Sequence, residues 1–153
     1  MNKREFEIKQ ATIYDLDDIT PIFDQYRVFY KQESDLDGAK QFLFEKLEHR
    51  ESVIFMAKDL DDGQVVGFTQ LYPIFSSISM QRAWILNDLY VIEGIRSQGV
   101  ARGLMNQARD YAIATRAKGI QLSTALDNVR AQKLYESLNY ERDVEYYHYY
   151  LTL

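Results

Sequence analysis

The stretch IRSQGVARGLMNQARDYA, residues 95–112, sets an arginine ahead of two glycines just as a helically spaced apolar run begins. The first four N–H groups of a helix lack partners inside it, and the macrodipole adds partial positive charge at that end. A phosphate there gains roughly 0.3–1 kcal/mol, and up to ~2 kcal/mol when partly buried. Gly99, Ala101 and Gly103 keep bulky side chains away from those amides, and Arg96 and Arg102 add full charges. The plain alternative is a tight strand-to-helix turn with an unused helix end. The spacing excludes the G-x-x-x-x-G-K-[ST] triphosphate loop and the dinucleotide G-x-G-x-x-G.

A second group of residues suits a cation. Tyr26, Phe29 and Tyr30 share a helical segment, and Tyr72 and Phe75 share a strand. Aromatic faces attract a cation by about 0.5–2 kcal/mol each, although some of this set must be ordinary core. Carboxylates gather nearby in DLDD and ESDLDG, which include Glu33. His49 and His148 are far apart in sequence and form no metal-ligand spacing, His49 reading as surface and His148 as a strand residue. No metal site is expected.

The whole chain sets the frame for these groups. It has 153 residues, 23 acidic against 18 basic, and no cysteine. The absence of cysteine rules out disulfides and thiolate chemistry. A net charge of −5 argues against nucleic-acid binding, which relies on clustered Lys and Arg. No run approaches the ~20 apolar residues of a membrane span, and MNKREFEIKQ is too polar for a signal peptide. The expectation is a single cytoplasmic domain over residues 1–153 that binds neither nucleic acid nor membrane.

The positioning elements follow from periodicity. FEIKQA alternates and predicts a strand. In TIYDLDDITPIFDQYRVFY, Leu16, Ile19, Phe23, Tyr26 and Tyr30 have helical spacing; Pro21 predicts either a kink or a late start capped by Thr20. SDLDGAKQFLFEKLEHR predicts a second helix, with Ser34 and Asp37 close to a capping box and Ala39, Leu43 and Leu47 as its buried stripe. SVIFMAKD and VVGFTQLYPIF flank the turn DDGQ as a hairpin. QRAWILNDLYVI predicts a strand buried on both faces. A helix from about residue 99 to 116, a strand at GIQLSTAL, a short helix at NVRAQKLYESLN and one or two strands in the tail YERDVEYYHYYLTL complete the order. Asn139 stands where a left-handed helix end is common. The fold class is α/β, a mixed sheet flanked by about four helices.

Three motifs combine into a resemblance. Arg96-Ser97-Gln98-Gly99-Val100-Ala101 resembles the [RQ]-x-x-G-x-[GA] pyrophosphate loop of the GCN5-related N-acetyltransferase family. LYV, residues 89–91, resembles that family's pantetheine-pairing strand. DNVRAQKLYESLNY resembles its N-x-x-A-x-x-L-Y-x-x-x-G-[FY] element, with Asn139 in place of the glycine. The resemblance spans essentially the whole chain and is nearest to a branch containing a yeast histone and polyamine acetyltransferase.

The resemblance implies transfer of an acetyl group from acetyl-CoA to a primary amine by direct attack in a ternary complex. It places the pyrophosphate on amides from about Gln98 to Gly103, with Ser97, Val100 and Arg102 in the same loop. Leu89 and Val91, with Tyr90 between them, offer main-chain bonds to pantetheine. Asn128 reads both as a contact to the CoA arm and as a plain N-cap. Tyr135 matches the family's thiolate-protonating tyrosine; without the motif it reads as a core aromatic.

The base departs from the family pattern. An amine of lysine-like pKa is mostly ammonium, and deprotonating it at pH 7 costs about 4–5 kcal/mol. Relatives often carry Glu or His where this chain has Asn87, which accepts no proton. Strand alternation points Asp88 to the opposite face. Three routes stay open: a water chain past Asn87, a bulge that turns Asp88 to the amine, or Glu33 or another carboxylate from the first-helix region. The expected acceptor is a small cationic amine or a lysine-containing peptide. Competing readings are a non-catalytic acyl-CoA-binding module and a transferase using another acyl-CoA. The aromatic tail predicts a homodimer, because an open edge invites pairing.

Overall fold

The computed structural model describes residues 3–153. Two compact units make up the chain, Met1–Leu122 and Ser123–Leu153.

The first unit is built on five strands: β1 (Phe6–Gln10), β2 (Val53–Asp59), β3 (Val65–Ser76), β4 (Gln81–Val91) and β5 (Ile120–Gln121). They lie in sequence order; β1 to β4 are antiparallel and β5 joins β4 in parallel. The expected β2–β3 hairpin forms around DDGQ, where Gly63 adopts φ 72° and its N–H bonds the Asp59 carbonyl at 2.8 Å. β5 is much shorter than GIQLSTAL predicts.

Helices α1 (Leu16–Phe29) and α2 (Leu36–Glu48) cover one face. Their stripe of Leu16, Ile19, Phe23, Ala39 and Leu43 packs on Ile54, Met56 and Phe68 of the sheet. α1 does not start late. Thr12 and Asp15 form a capping box around a short 3-10 turn at Ile13–Asp15, so the helix is already nucleated when it reaches Pro21. Proline deprives the Asp17 carbonyl of its usual donor, but both residues are exposed, so the carbonyl is not left in an apolar core. α2 is capped by Asp35, which accepts from the Gly38 N–H at 2.9 Å, not by Ser34. Ser34 instead donates to buried Asp24 at 2.6 Å.

Helix α3 (Val100–Ala114) lies on the other face. Tyr111 packs on Phe55 and Trp84 at 5.5 and 5.4 Å between ring centroids. A Cβ at Gly103 would stand 2.6 Å from the terminal methyl of Ile8, which would have to turn aside to admit it. β4 is less enclosed than its apolar sequence predicts: Trp84 and Leu86 are buried, Leu89 and Tyr90 half-buried, and Asn87 exposed.

The second unit contains α4 (Val129–Ser137). Asn128 caps it, accepting the Ala131 N–H at 3.3 Å. Asn139 is left-handed at φ 69°, as its position predicts. The tail forms no strand. The Asp143 carboxylate instead takes the Glu145 and Tyr146 amides in a local turn and pairs with His148 at 3.1 Å. Those amides are thereby withdrawn from any ladder, and His148 is not a strand residue.

Candidate active site

The glycine loop is shaped by left-handed backbone. Ser97 has φ 68° and Gly99 φ 83°, and Gly99 is the N-cap of α3 with no side-chain cap. Such alternation curls successive N–H groups into a concavity that suits an anion. The Gly103 N–H bonds the Gly99 carbonyl at 3.0 Å, so the amides before it point out of the helix start. A Cβ on Gly99 would meet nothing within 4 Å; glycine is required there by its φ and not by crowding.

The decisive feature of β4 is one extra residue. Gln70 pairs with Asp88 while the next residue of β3, Leu71, pairs with Leu86, leaving Asn87 without a partner. This is a β-bulge. Trp84 faces α3 through Tyr111 and Thr115, and simple alternation would carry Leu86 and Asp88 to that face. Beyond the bulge the parity reverses. Asp88 pairs across from Gln70 and Tyr90 across from Phe68, and Tyr90 packs on Tyr26 of α1 at 5.8 Å. Asp88 therefore faces α1.

The bulge also reverses which main-chain groups meet the outer edge. The Trp84 N–H bonds the Gly119 carbonyl at 3.1 Å, so even-numbered residues face β5 there. Past the bulge the Ile92 N–H bonds the Val66 carbonyl at 3.0 Å, on the β3 side. Leu89 and Val91 consequently turn their main-chain groups outward. Pairing with β5 ends at Ile85↔Gln121, and among the described residues no strand pairs with that edge farther along. The Val91 carbonyl accepts from Arg96 Nε at 3.0 Å, which ties the glycine loop to the strand.

Asp88 is buried, and its surroundings are polar but uncharged. Gln70 Nε2 donates to Oδ2 at 2.8 Å and Asn87 Nδ2 to Oδ1 at 3.2 Å. The Tyr26 hydroxyl also bonds it. Burial, then the neighbouring Asp88 charge, pushes the Tyr72 phenol up to about 12. Tyr26 is raised further for the same reasons in the same order, so both remain neutral donors. Tyr30 packs edge-on to Tyr26 at 5.0 Å and Phe29 on Tyr90 at 5.8 Å. The Arg96 guanidinium stands over Phe29 and Tyr90 at 5.3 and 5.9 Å. One carboxylate thus lies behind an aromatic wall that is half open to solvent.

Residues 16–140 match the acetyltransferase (GNAT) family. The chain belongs to that family. An uncharacterized N-acetyltransferase of Bacillus subtilis (strain 168) is 47% identical over 146 residues, covering 95% of this chain and 97% of the relative. A crystal structure of a probable acetyltransferase superposes with TM-score 0.92 at 43% identity, covering 96% and 97% of the two chains. A D-amino-acid N-acetyltransferase of Saccharomyces cerevisiae is 31% identical over 88 residues, 58% of this chain and 55% of that protein. The chain is an N-acetyltransferase of this family, whose co-substrate is acetyl-CoA.

Within this GNAT chain, Tyr26, Phe29, Tyr30, Tyr72 and Asp88 come together with Tyr90 and Arg96, and Asn87 borders them at the bulge. Phe75 does not join them. It shares the α3-facing parity of Leu71 at the far end of the hairpin, where Arg82 stacks on it at 5.8 Å. Glu33 is exposed in the α1–α2 loop, its carbonyl taken by Arg27 at 3.3 Å. In the second unit Tyr135 is half-buried beside Tyr140, with ring centroids 6.2 Å apart. Gln70 is the cluster member that the sequence reading missed. Its only signal is a long polar amide inside the apolar run VVGFTQLY.

Proposed function

We propose that this N-acetyltransferase acts on a cationic primary amine, a small polyamine-like molecule or a lysine side chain, which attacks acetyl-CoA directly in a ternary complex. The reading rests on the bulge at Asn87, which aims Asp88 at the aromatic wall and the Leu89 and Val91 main chain at the open edge. Of the three routes for the amine's proton, this geometry favours Asp88.

The residues present fit acetyl-CoA. The left-handed loop at Ser97 and Gly99 leaves an uncapped helix start for the pyrophosphate, with Gln98, Val100 and Ala101 lining it. Leu89 and Val91 offer the edge along which pantetheine adds as an extra strand. Acetyl-CoA supplies the acetyl group, whose carbonyl carbon bonds the amine nitrogen as the thiol leaves.

The chain's own residues handle the amine. Asp88 attracts the ammonium and accepts its proton. Tyr26 holds one side of that carboxylate by donating to it, and Gln70 holds Oδ2. Tyr30 and Phe29 shield the approach, and Glu33 lies outside as an attracting charge. For Tyr135 and Asn128 we adopt the roles of thiol protonation and CoA contact, supported by a family match that includes both. That match also runs through both compact units, which supports one acetyltransferase domain.

The test is thiol release from acetyl-CoA with polyamines, amino acids, aminoglycosides and basic peptides. A cationic primary amine should be the best substrate, with kcat/KM falling as salt rises because exposed charges are screened beyond about 10 Å at 0.1 M. A neutral or acidic best substrate without salt dependence refutes the class; binding without turnover favours the non-catalytic module. Tyr146, Tyr147, Tyr149 and Tyr150 are exposed in the tail, which supports a homodimer that closes over them. A monomer by light scattering at micromolar concentration contradicts that part.

A further inference from the structure

We propose that Gln70 is a positioning residue for the transfer: its amide holds Asp88 as an acceptor and turns over when Asp88 takes the amine's proton. The inference rests on the assignment of Asp88 as proton acceptor.

Gln70 is fully buried in the middle of β3. Both hydrogens of Nε2 are committed, one to Asp88 Oδ2 at 2.8 Å and one to the Tyr72 hydroxyl at 3.1 Å. Oε1 has no partner. A buried amide with one satisfied end and one orphaned end is uncommon, and an apolar side chain at this position would avoid the orphan.

The asymmetry matches one protonation state of its neighbour. A carboxylate only accepts, so the NH₂ end of the amide must face it. A carboxylic acid has a proton to place, and the acceptor it needs is the idle Oε1. Rotation by half a turn about the terminal torsion, which is broad and two-fold, exchanges the two ends. In the exchanged state Asp88 donates to Oε1, and Nε2 is released. Gln70 can thus bond Asp88 before and after proton transfer.

Asn87 carries the other amide at Asp88, but it is exposed and its free end meets solvent, whereas the Gln70 amide is fully buried. Tyr26 on α1 donates to Asp88, as does Asn87 Nδ2 on β4 at 3.2 Å; Tyr72 on β3 is already hydrogen-bonded to Gln70. None of these carries a charge at neutral pH. The proton moves from the ammonium nitrogen to an Asp88 oxygen, leaving a neutral amine whose lone pair forms the new bond. No further reactant is required.

Two substitutions and one spectrum test this. Gln70→Met keeps an unbranched side chain and removes the amide. It should lower kcat about tenfold or more, a part of the roughly 10²–10⁴-fold that a positioned proton acceptor supplies, while KM for acetyl-CoA stays within about threefold. Gln70→Glu sets a second carboxylate against Asp88, and a pair that close shares a proton. The acid limb of kcat/KM should then move up by about one pH unit or more. In the parent protein the Gln70 side-chain amide resonances should titrate with that same limb, which decides the matter even if neither variant folds. A parent-like kcat and pH profile for Gln70→Met, or amide resonances that stay fixed through the limb, overturns the proposal. If Asp88→Asn is crippled while Gln70→Met is parent-like, only this inference fails. If Asp88→Asn is itself parent-like, the assignment beneath it fails.

Discussion

Asp88→Asn removes one charge from a buried site at nearly constant volume, and its effect follows from the groups around it. Asp88 is 6% exposed and accepts from Gln70, Asn87 and Tyr26. Asparagine accepts at one atom and donates at the other, so one of these donors faces another donor. The larger loss is catalytic. Neutralising a lysine-like ammonium at pH 7 costs about 4–5 kcal/mol. A positioned acceptor returns roughly 10²–10⁴ in rate, which is about 2.7–5.5 kcal/mol at 1.36 kcal/mol per decade. The variant's kcat/KM for the amine should therefore fall by about 10²–10⁴ at pH 7. The variant depends on amine deprotonated in solution, a population that grows tenfold per pH unit up to the amine's pKa. Its log rate should climb with a slope near one while the parent levels off, so the two converge toward pH 10. Affinity for acetyl-CoA should stay within about threefold, because the Gly99 loop and the Leu89–Val91 edge are separate groups. Thiol release across pH, with calorimetric acetyl-CoA titration, measures both. A kcat/KM within threefold of the parent, with the same pH profile, would refute the reasoning.

Three other substitutions probe separate parts of the molecule. Gly99→Glu should abolish acetyl-CoA binding, since it strains a position at φ 83° and brings a carboxylate to the loop; equal affinity by calorimetry contradicts the loop assignment. Tyr135→Phe should keep CoA affinity within a few-fold and lower kcat roughly 10²-fold; an unchanged kcat leaves Tyr135 as packing alone. Asp24→Asn should destabilise the fold by about 1–3 kcal/mol, because Asp24 takes the Ser34 hydroxyl and the Asp35 amide that fix the α1–α2 loop. Those bonds, the Ser34 bond first, lower the Asp24 pKa in the fold. Its stabilisation is therefore complete above the unfolded value near 3.9 and is lost as pH falls through the folded pKa. Denaturant melts should show a constant parent–variant gap above about pH 4 that closes at lower pH; a gap that persists there contradicts the charge's role.

The helices and the β2–β3 hairpin were legible because their signals are local. Leu16, Ile19 and Phe23 repeat at helical spacing and are buried together, and DDGQ marks its turn by a glycine whose φ is positive. The glycine turn into α3 was legible from its residue types, while its pyrophosphate role came only from the resemblance. The bulge was not. WILNDLYV reads as smooth alternation, and a one-residue slip becomes visible only against its partner strand, where Leu71 and Gln70 skip Asn87. Plain alternation turns Asp88 away from the amine, so its direction stayed open, and Gln70 was omitted because its place opposite Asp88 depends on the slip. Phe75 was grouped with Tyr72 by proximity in sequence, yet an odd separation on one strand sends two side chains to opposite faces. The tail misled for a different reason. EYYHYYLTL has the propensity of a strand, but propensity supplies no partner, and Asp143 draws the first amides into a turn.

We propose that the Asn87 bulge divides the site, with the amine at Asp88 and pantetheine along Leu89 and Val91. A crystal structure with CoA and the best amine from the screen measures it most directly. The amine nitrogen should lie within hydrogen-bond reach of the Asp88 carboxylate, about 2.7–3.2 Å. The pantetheine amides should pair with the outward main chain of Leu89 and Val91. An amine bound away from Asp88, or pantetheine lying off that edge, would contradict it.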